Sequence, residues 1–148
     1  MILVRSVLED AQRRLAVIPR DASVCDAADI LADASKPLVI VCNDEDVAVG
    51  VITRTDIVKV FSRARADALT MSAEAIMTDA VVSSHSDQTV QAVWETMGKR
   101  SLRSVPVLDG QGRPLGVLHA RDIARALLDE VTNEEGLLRD YVLGIGYQ

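Results

Sequence analysis

The chain has 148 residues, 49% of them hydrophobic and 26% charged, with a formal net charge of −6. That length is ordinary for one domain and can bury a core without metal or disulfide staples. The acidity argues against general attraction to DNA, RNA or anionic membranes, and aromatics at 3% are too few for a base-stacking surface.

In chain order, Met1-Ile-Leu-Val-Arg5-Ser6 is too short an apolar run for a signal peptide. No stretch approaches the roughly 20 apolar residues of a membrane span, so the expectation is a cytoplasmic protein without a membrane partner. A short apolar run over 15–19 predicts a strand. A helix follows over 23–34, opened by a Ser23-x-x-Asp26 capping box and faced with Ala27, Ala28, Ile30 and Leu31. β-rich runs at 38–42 and 47–53 flank the turn Asn43-Asp-Glu-Asp46 and predict a hairpin, after which a second helix spans 54–64. The polar, alanine-rich stretch 65–72 reads as a linker. The same succession then returns: a strand over 80–84, a helix over 89–100, a hairpin of 105–108 and 114–119 around Asp109-Gly-Gln-Gly112, and a helix over 120–131. A separate tail helix over 132–143 is expected from a Thr132-x-x-Glu135 capping box and a stop at Gly144.

Sliding the chain on itself by 66 positions aligns 21–57 with 87–123 without a gap, with nine identities. These are Asp21/Asp87, Val24/Val90, Ser35/Ser101, Val39/Val105, Val41/Val107, Gly50/Gly116, Val51/Val117, Asp56/Asp122 and Ile57/Ile123. The long register and repeated order mark a duplicated module, with modules over 1–66 and 67–131 and a helical tail over 132–148.

Two β-α-β-β-α units in tandem, each hairpin closing on Gly-apolar-apolar-x-x-x-Asp, resemble a pair of CBS domains. The resemblance is carried by Val24 to Leu31, Leu38 to Val41 and Gly50 to Asp56 in the first copy. In the second copy it is carried by Thr89 to Met97, Ser104-Val-Pro-Val107 and Gly116 to Asp122. It implies an α/β (α+β) fold, with the modules related by a pseudo-twofold, joined as one Bateman unit and followed by a C-terminal helix. It also implies two clefts between the modules for adenosyl compounds (AMP, ATP, NAD or S-adenosylmethionine), a homodimer and an unidentified effector protein.

In Gly50-Val-Ile-Thr-Arg-Thr-Asp56 a strand runs straight into a helix, whose first N–H groups and dipole attract phosphate. Thr53 and Thr55 add hydroxyls, and an ionised Asp56 accepts both protons of a ribose diol. The resemblance assigns phosphate and ribose contacts to Thr53, Thr55 and Asp56. Thr53-x-x-Asp56 also reads as a plain capping box. In the second copy His119, a poor N-cap, replaces the threonine while Asp122 is kept, which favours a ligand role for the acid. The second cleft is expected to gather Arg103, His119 and Arg121 around Asp122, a setting for phosphate. Arg54 and Lys36 lie near the first. By resemblance Ile18, Pro19, Lys36 and Pro37, with Ser84, His85 and Leu102, line the purine pockets, Ser104 is a further ligand contact, and Arg103 matches a position that can face either cleft.

Other functions find little support. The chain has two histidines and no nucleophile elbow, zinc-protease helix motif or P-loop, so no catalytic activity and no catalytic cofactor are expected. Cys25 and Cys42 lack CxxC spacing and a nearby histidine, and Asn43-Asp-Glu-Asp46 lacks EF-hand spacing, so no metal is expected. The alternative is a ligand-free homodimeric interaction module. Leu127, Leu128, Val131, Leu138, Tyr141, Val142 and Ile145 form an apolar stripe that either packs on its own domain or serves self-association, the resemblance favouring a dimer, and Trp94 suits a core or interface.

Overall fold

The computed structural model describes residues 1–143. A 3-10 turn at Val4–Val7 leads into α1 (Leu8–Arg13). The first module then runs β1 (Val17–Pro19), α2 (Val24–Leu31), β2 (Leu38–Cys42), β3 (Ala48–Thr53) and α3 (Arg54–Ala64). A 3-10 turn at Arg65–Thr70 and the short α4 (Ala73–Ile76) follow. The second module has α5 (Val90–Arg100), β4 (Ser104–Leu108), β5 (Pro114–His119) and α6 (Ala120–Leu143).

Local chemistry accounts for the shared elements. Ser23 accepts from the Asp26 amide while Asp26 accepts from the Ser23 amide, and Thr89 caps α5 through the Ala92 amide. Both hairpins are antiparallel, pairing Leu38 with Thr53 and Ser104 with His119. Their turns share a device: the Asn43 side chain accepts from the Glu45 and Val47 amides, and Asp109 accepts from those of Gln111 and Arg113.

Three expectations change. Residues 80–84 make no strand, and Ser84 forms only one bridge to Val107. In the first module the Ile40 amide donates to the Ala16 carbonyl at 2.9 Å. The matching residue in the second is Pro106, which has no N–H to give, and its sheet stops at two strands. The linker 65–72 is largely a 3-10 turn. The tail does not begin at a cap on Thr132: α6 continues unbroken through it, since extending a helix avoids a second nucleation. Gly144, Ile145 and the side chains of Tyr141 and Val142 lie outside the described residues.

Each repeat sends its leading segment to the other module. Val4 and Arg5 donate their amides to the Gln88 and Ser86 carbonyls, and the Val90 amide donates to Ile2. Correspondingly, Ala73 and Glu74 donate to Ala22 and Arg20, and the Val24 amide donates to Met71. Val4 and Ala11 are accordingly buried in one core with Val90, Val93, Met97, Val105, Val107, Leu118 and Ile123. Ala73 is buried with Ile18, Ala27, Leu31, Val39, Val41 and Ile52. Residues 1–14, expected in the first module, therefore pack on the second. The matched glycines make room for the crossings. A Cβ on Gly50 would lie 2.3 Å from Met77 Sδ, and one on Gly116 would lie 2.7 Å from the Ala11 carbonyl carbon. Between the modules Leu38, Ile40, Cys42 and Val117 form a third cluster.

Candidate functional site: two unequal clefts

After its lead has crossed, each repeat returns to its own module along the seam between the two. The seam holds two clefts related by the 66-residue repeat, and they are not alike.

The first cleft has a volume of about 490 Å³. One side is the β3–α3 junction, with Thr53, Arg54, Thr55 and Asp56. Facing it are Ser101, Arg103, Ser104 and His119 from the second module, and Thr78, Ala80 and Val82 from the crossing segment. Pro37, Leu38, Val51, Leu102 and Pro106 supply apolar walls. Thr53 caps α3: its hydroxyl accepts from the Asp56 amide at 3.3 Å, and Asp56 Oδ2 accepts from the Thr53 amide at 2.9 Å. The capping box anticipated from the sequence is thus present. It engages Oδ2 alone, so Asp56 Oδ1 accepts nothing from the described residues.

Two cations in this cleft differ in commitment. Arg54 donates to the carbonyls of Leu31, Asp33 and Lys36 at 2.9 to 3.0 Å, closing the C-terminal end of α2. Its guanidinium therefore serves the scaffold. Arg103 is exposed, and its guanidinium makes no hydrogen bond or ion pair with the described residues.

The second cleft retains about 240 Å³. It is lined by Asp10, Arg13, Arg14, Ser35, Arg121, Asp122 and Arg125. By the repeat Arg14 stands where Ala80 stands in the first cleft, Ser35 where Ser101 stands, Arg121 for Thr55 and Asp122 for Asp56. Asp122 is buried, and both its oxygens are taken: Arg14 Nε donates to Oδ2 at 2.7 Å and Nη2 to Oδ1 at 3.2 Å. Lys36, the counterpart of Leu102, donates from Nζ to the carbonyls of Arg13 and Leu15 at 2.7 and 3.2 Å.

The structure places the sequence-derived residues as follows. Thr53, Arg54, Thr55, Asp56, Pro37, Leu102, Arg103, Ser104 and His119 line the first cleft, so Arg103 faces the first of the two clefts open to it, and His119, expected at the second, lines the first as well. Arg121 and Asp122 line the second, and Lys36 turns to the carbonyls of Arg13 and Leu15. Ile18 is buried in the first core, away from either cleft. Ser84 is buried and donates from Oγ to the Pro106 carbonyl at 3.0 Å, while His85 and Pro19 are exposed and line neither cleft.

His119 revises the argument from capping. Its Nδ1 accepts from the Arg121 amide at 3.0 Å, so the imidazole is a working cap. With Arg14 on Asp122, the retained acid has a structural reason of its own. Burial, then the nearby charges of Arg14 and Arg121, hold His119 below the ordinary imidazole range, while Asp122 pulls the other way. That keeps the ring in the neutral state in which Nδ1 can accept. Sequence reasoning missed Arg14 and the lining residues Thr78, Ala80, Val82 and Ser101. Extending the 66-residue alignment back past Asp21 would have set Arg14 against Ala80.

Among the described residues no cluster of histidine, cysteine or acidic side chains could hold a metal ion. No described helix is long and apolar enough to cross a membrane. Cys25 and Cys42 are free thiols, and burial pushes the Cys42 thiol up from its ordinary range.

Two repeated modules, β-α-β-β-α and a second without the leading strand, with clefts at their seam, define a class of domain pair. The family model for the CBS domain matches residues 4–63 and 73–129, and the chain belongs to that family. It is 28% identical, over 97% of its own length and 86% of the relative's, to an uncharacterized 17.7 kDa protein of Acidianus ambivalens. A homoserine O-acetyltransferase of Methanococcoides burtonii is 30% identical over 82% of the chain, which spans only 24% of that enzyme. Among solved structures, the chain is similar to the CBS domain pair of protein MJ0100 in complex with 5′-methylthioadenosine and S-adenosyl-L-methionine. That similarity has a TM-score of 0.75 and 26% identity, covering 88% of this chain and 98% of that one.

Proposed function

We propose that this CBS domain pair is a regulatory module that binds an anionic adenosyl nucleotide of the AMP type in its first cleft. The observation that carries the reading is the opening at the β3–α3 junction, where Asp56 Oδ1 and the Arg103 guanidinium both stand without partners among the described residues. In this reading the ribose diol donates to Asp56. The phosphate meets the amides of Arg54 and Thr55 at the start of α3, the Thr55 hydroxyl and Arg103. The adenine lies among Pro37, Leu38, Val51, Val82, Leu102 and Pro106. A similar domain pair holding adenosyl ligands supports the ligand class. Arg103 favours a phosphate over a sulfonium, which it would repel.

The module acts by binding rather than catalysis. A ligand touching both modules favours one arrangement of them, and an effector protein reads that arrangement as differential affinity. Leu128, Val131 and Leu138 on α6, with Trp94 on α5, are exposed and support self-association as a homodimer.

Thermal unfolding with AMP, ATP, NAD, S-adenosylmethionine, adenosine and GTP tests the reading. AMP at about 100 times its dissociation constant should add roughly 2.7 kcal/mol of stability. Asp56→Ala should abolish the shift, and Arg103→Ala should weaken AMP more than adenosine. Equal losses for both would remove Arg103 from the phosphate site. No shift with any adenosyl compound, on protein shown by mass spectrometry to carry none, would leave the ligand-free interaction module.

A further inference from the structure

We propose that the second cleft is closed to nucleotides by the chain's own Arg14 and Lys36, so that the module takes one nucleotide per chain, gated at Arg14. The proposal rests on the adenosyl reading of the first cleft and adds a stoichiometry and a gate to it.

The acid that matches Asp56 is fully engaged. Arg14 donates to both oxygens of Asp122, whereas Asp56 keeps one oxygen clear of the described residues. A ribose diol reaching Asp122 must displace a guanidinium whose own side chain is only 20% exposed. Arg14 is also held from behind. It directly follows α1, its amide donates to the Ala11 carbonyl at 3.2 Å, and Ala11 sits against Gly116 with no room for a Cβ between them. On the far side Lys36 spans the Arg13 and Leu15 carbonyls. At the two matching positions the first cleft carries Ala80 and Leu102, neither of which can donate a side-chain hydrogen bond. The remaining space is about half as large, 240 against 490 Å³.

Equilibrium dialysis with labelled AMP counts the sites. The unmodified chain should bind one AMP, the double variant Arg14→Ala/Lys36→Ala two, and the same variant with Asp56→Ala one again. Two AMP per unmodified chain, or a folded double variant that still binds one, overturns the gate. If the unmodified chain binds none while the double variant binds one, the first-cleft reading fails and the gate stands. If neither binds, both fall. Because removing Arg14 leaves Asp122 buried without its partner, photolabelling of the unmodified protein with 2-azido-AMP gives a test that needs no variant. Label confined to residues 37–38, 51, 78–82 and 101–106 supports the gate, and label on residues 10–14, 35 or 121–125 overturns it.

Discussion

The two clefts are built on the same seven-residue turn from strand to helix, Gly50 to Asp56 and Gly116 to Asp122, yet one holds about 490 Å³ and the other about 240 Å³. The difference does not lie in the turn. It lies in what the crossing segments and facing loops carry past it: Ala80 and Leu102 at the first cleft, Arg14 and Lys36 at the second. A duplicated scaffold can therefore leave one oxygen of one acid clear of the described residues and use the twin acid as an internal counter-ion. In the proposed reading the two acids have opposite dependencies, with Asp56 matched to ligand binding and Asp122 to stability.

Substituting each acid in turn should break the symmetry most visibly. Asp122→Ala strands the Arg14 guanidinium in a mostly buried site, and breaking a buried pair from one side costs about 3 kcal/mol at the lower end. Asp56→Ala loses a capping-box partner, a cost of about 1 kcal/mol. With a melting shift of roughly 2–4 °C per kcal/mol in a chain of this size, calorimetry should separate the two clearly. Equal losses would mean that the ion pair contributes no more than a cap. The matched glycines give the next contrast. Gly116→Ala drives a Cβ into the backbone of α1, which cannot yield without moving the helix, for about 2 kcal/mol. Gly50→Ala meets chiefly the flexible Met77 side chain and should cost about 1 kcal/mol or less. Urea unfolding of both variants should preserve that order, and a larger loss at Gly50 would show Met77 to be as rigid as the helix.

Much of this was legible in the chain. Both hairpins and α3 follow directly from β-rich runs, turn residues and caps, because each is settled by neighbours a few positions apart. The missing strand at 80–84 turned on Pro106, more than 20 residues away, whose lost N–H removes a ladder bond that Ile40 makes in the first module. The swapped leads were not legible for a related reason. Val4, Ala11, Ala73 and Met77 are ordinary apolar residues, and nothing in their identity says which of two similar cores they enter. The site divided in the same way. The β3–α3 junction was named from its motif, but the state of the second cleft depends on Arg14 and Lys36, whose partners are the distant Asp122 and backbone carbonyls.

The smallest contrast lies at the two caps. Thr53 does not titrate, whereas His119 accepts from the Arg121 amide only while its ring is neutral. Burial and the adjacent Arg14 and Arg121 hold its folded pKa below the ordinary imidazole value of about 6.5. As pH falls through that value the unfolded chain takes up a proton that the folded chain still refuses. The unfolded state then binds more protons, so unfolding free energy declines with falling pH until the folded pKa is reached, and is constant below it. His119→Thr gives the second half the cap of the first and removes this dependence. Melting temperatures measured from pH 7.5 to 5.5 should therefore fall less steeply in the variant. A steeper fall in the variant would mean that the imidazolium is stabilised in the fold, with Asp122 outweighing the arginines around it.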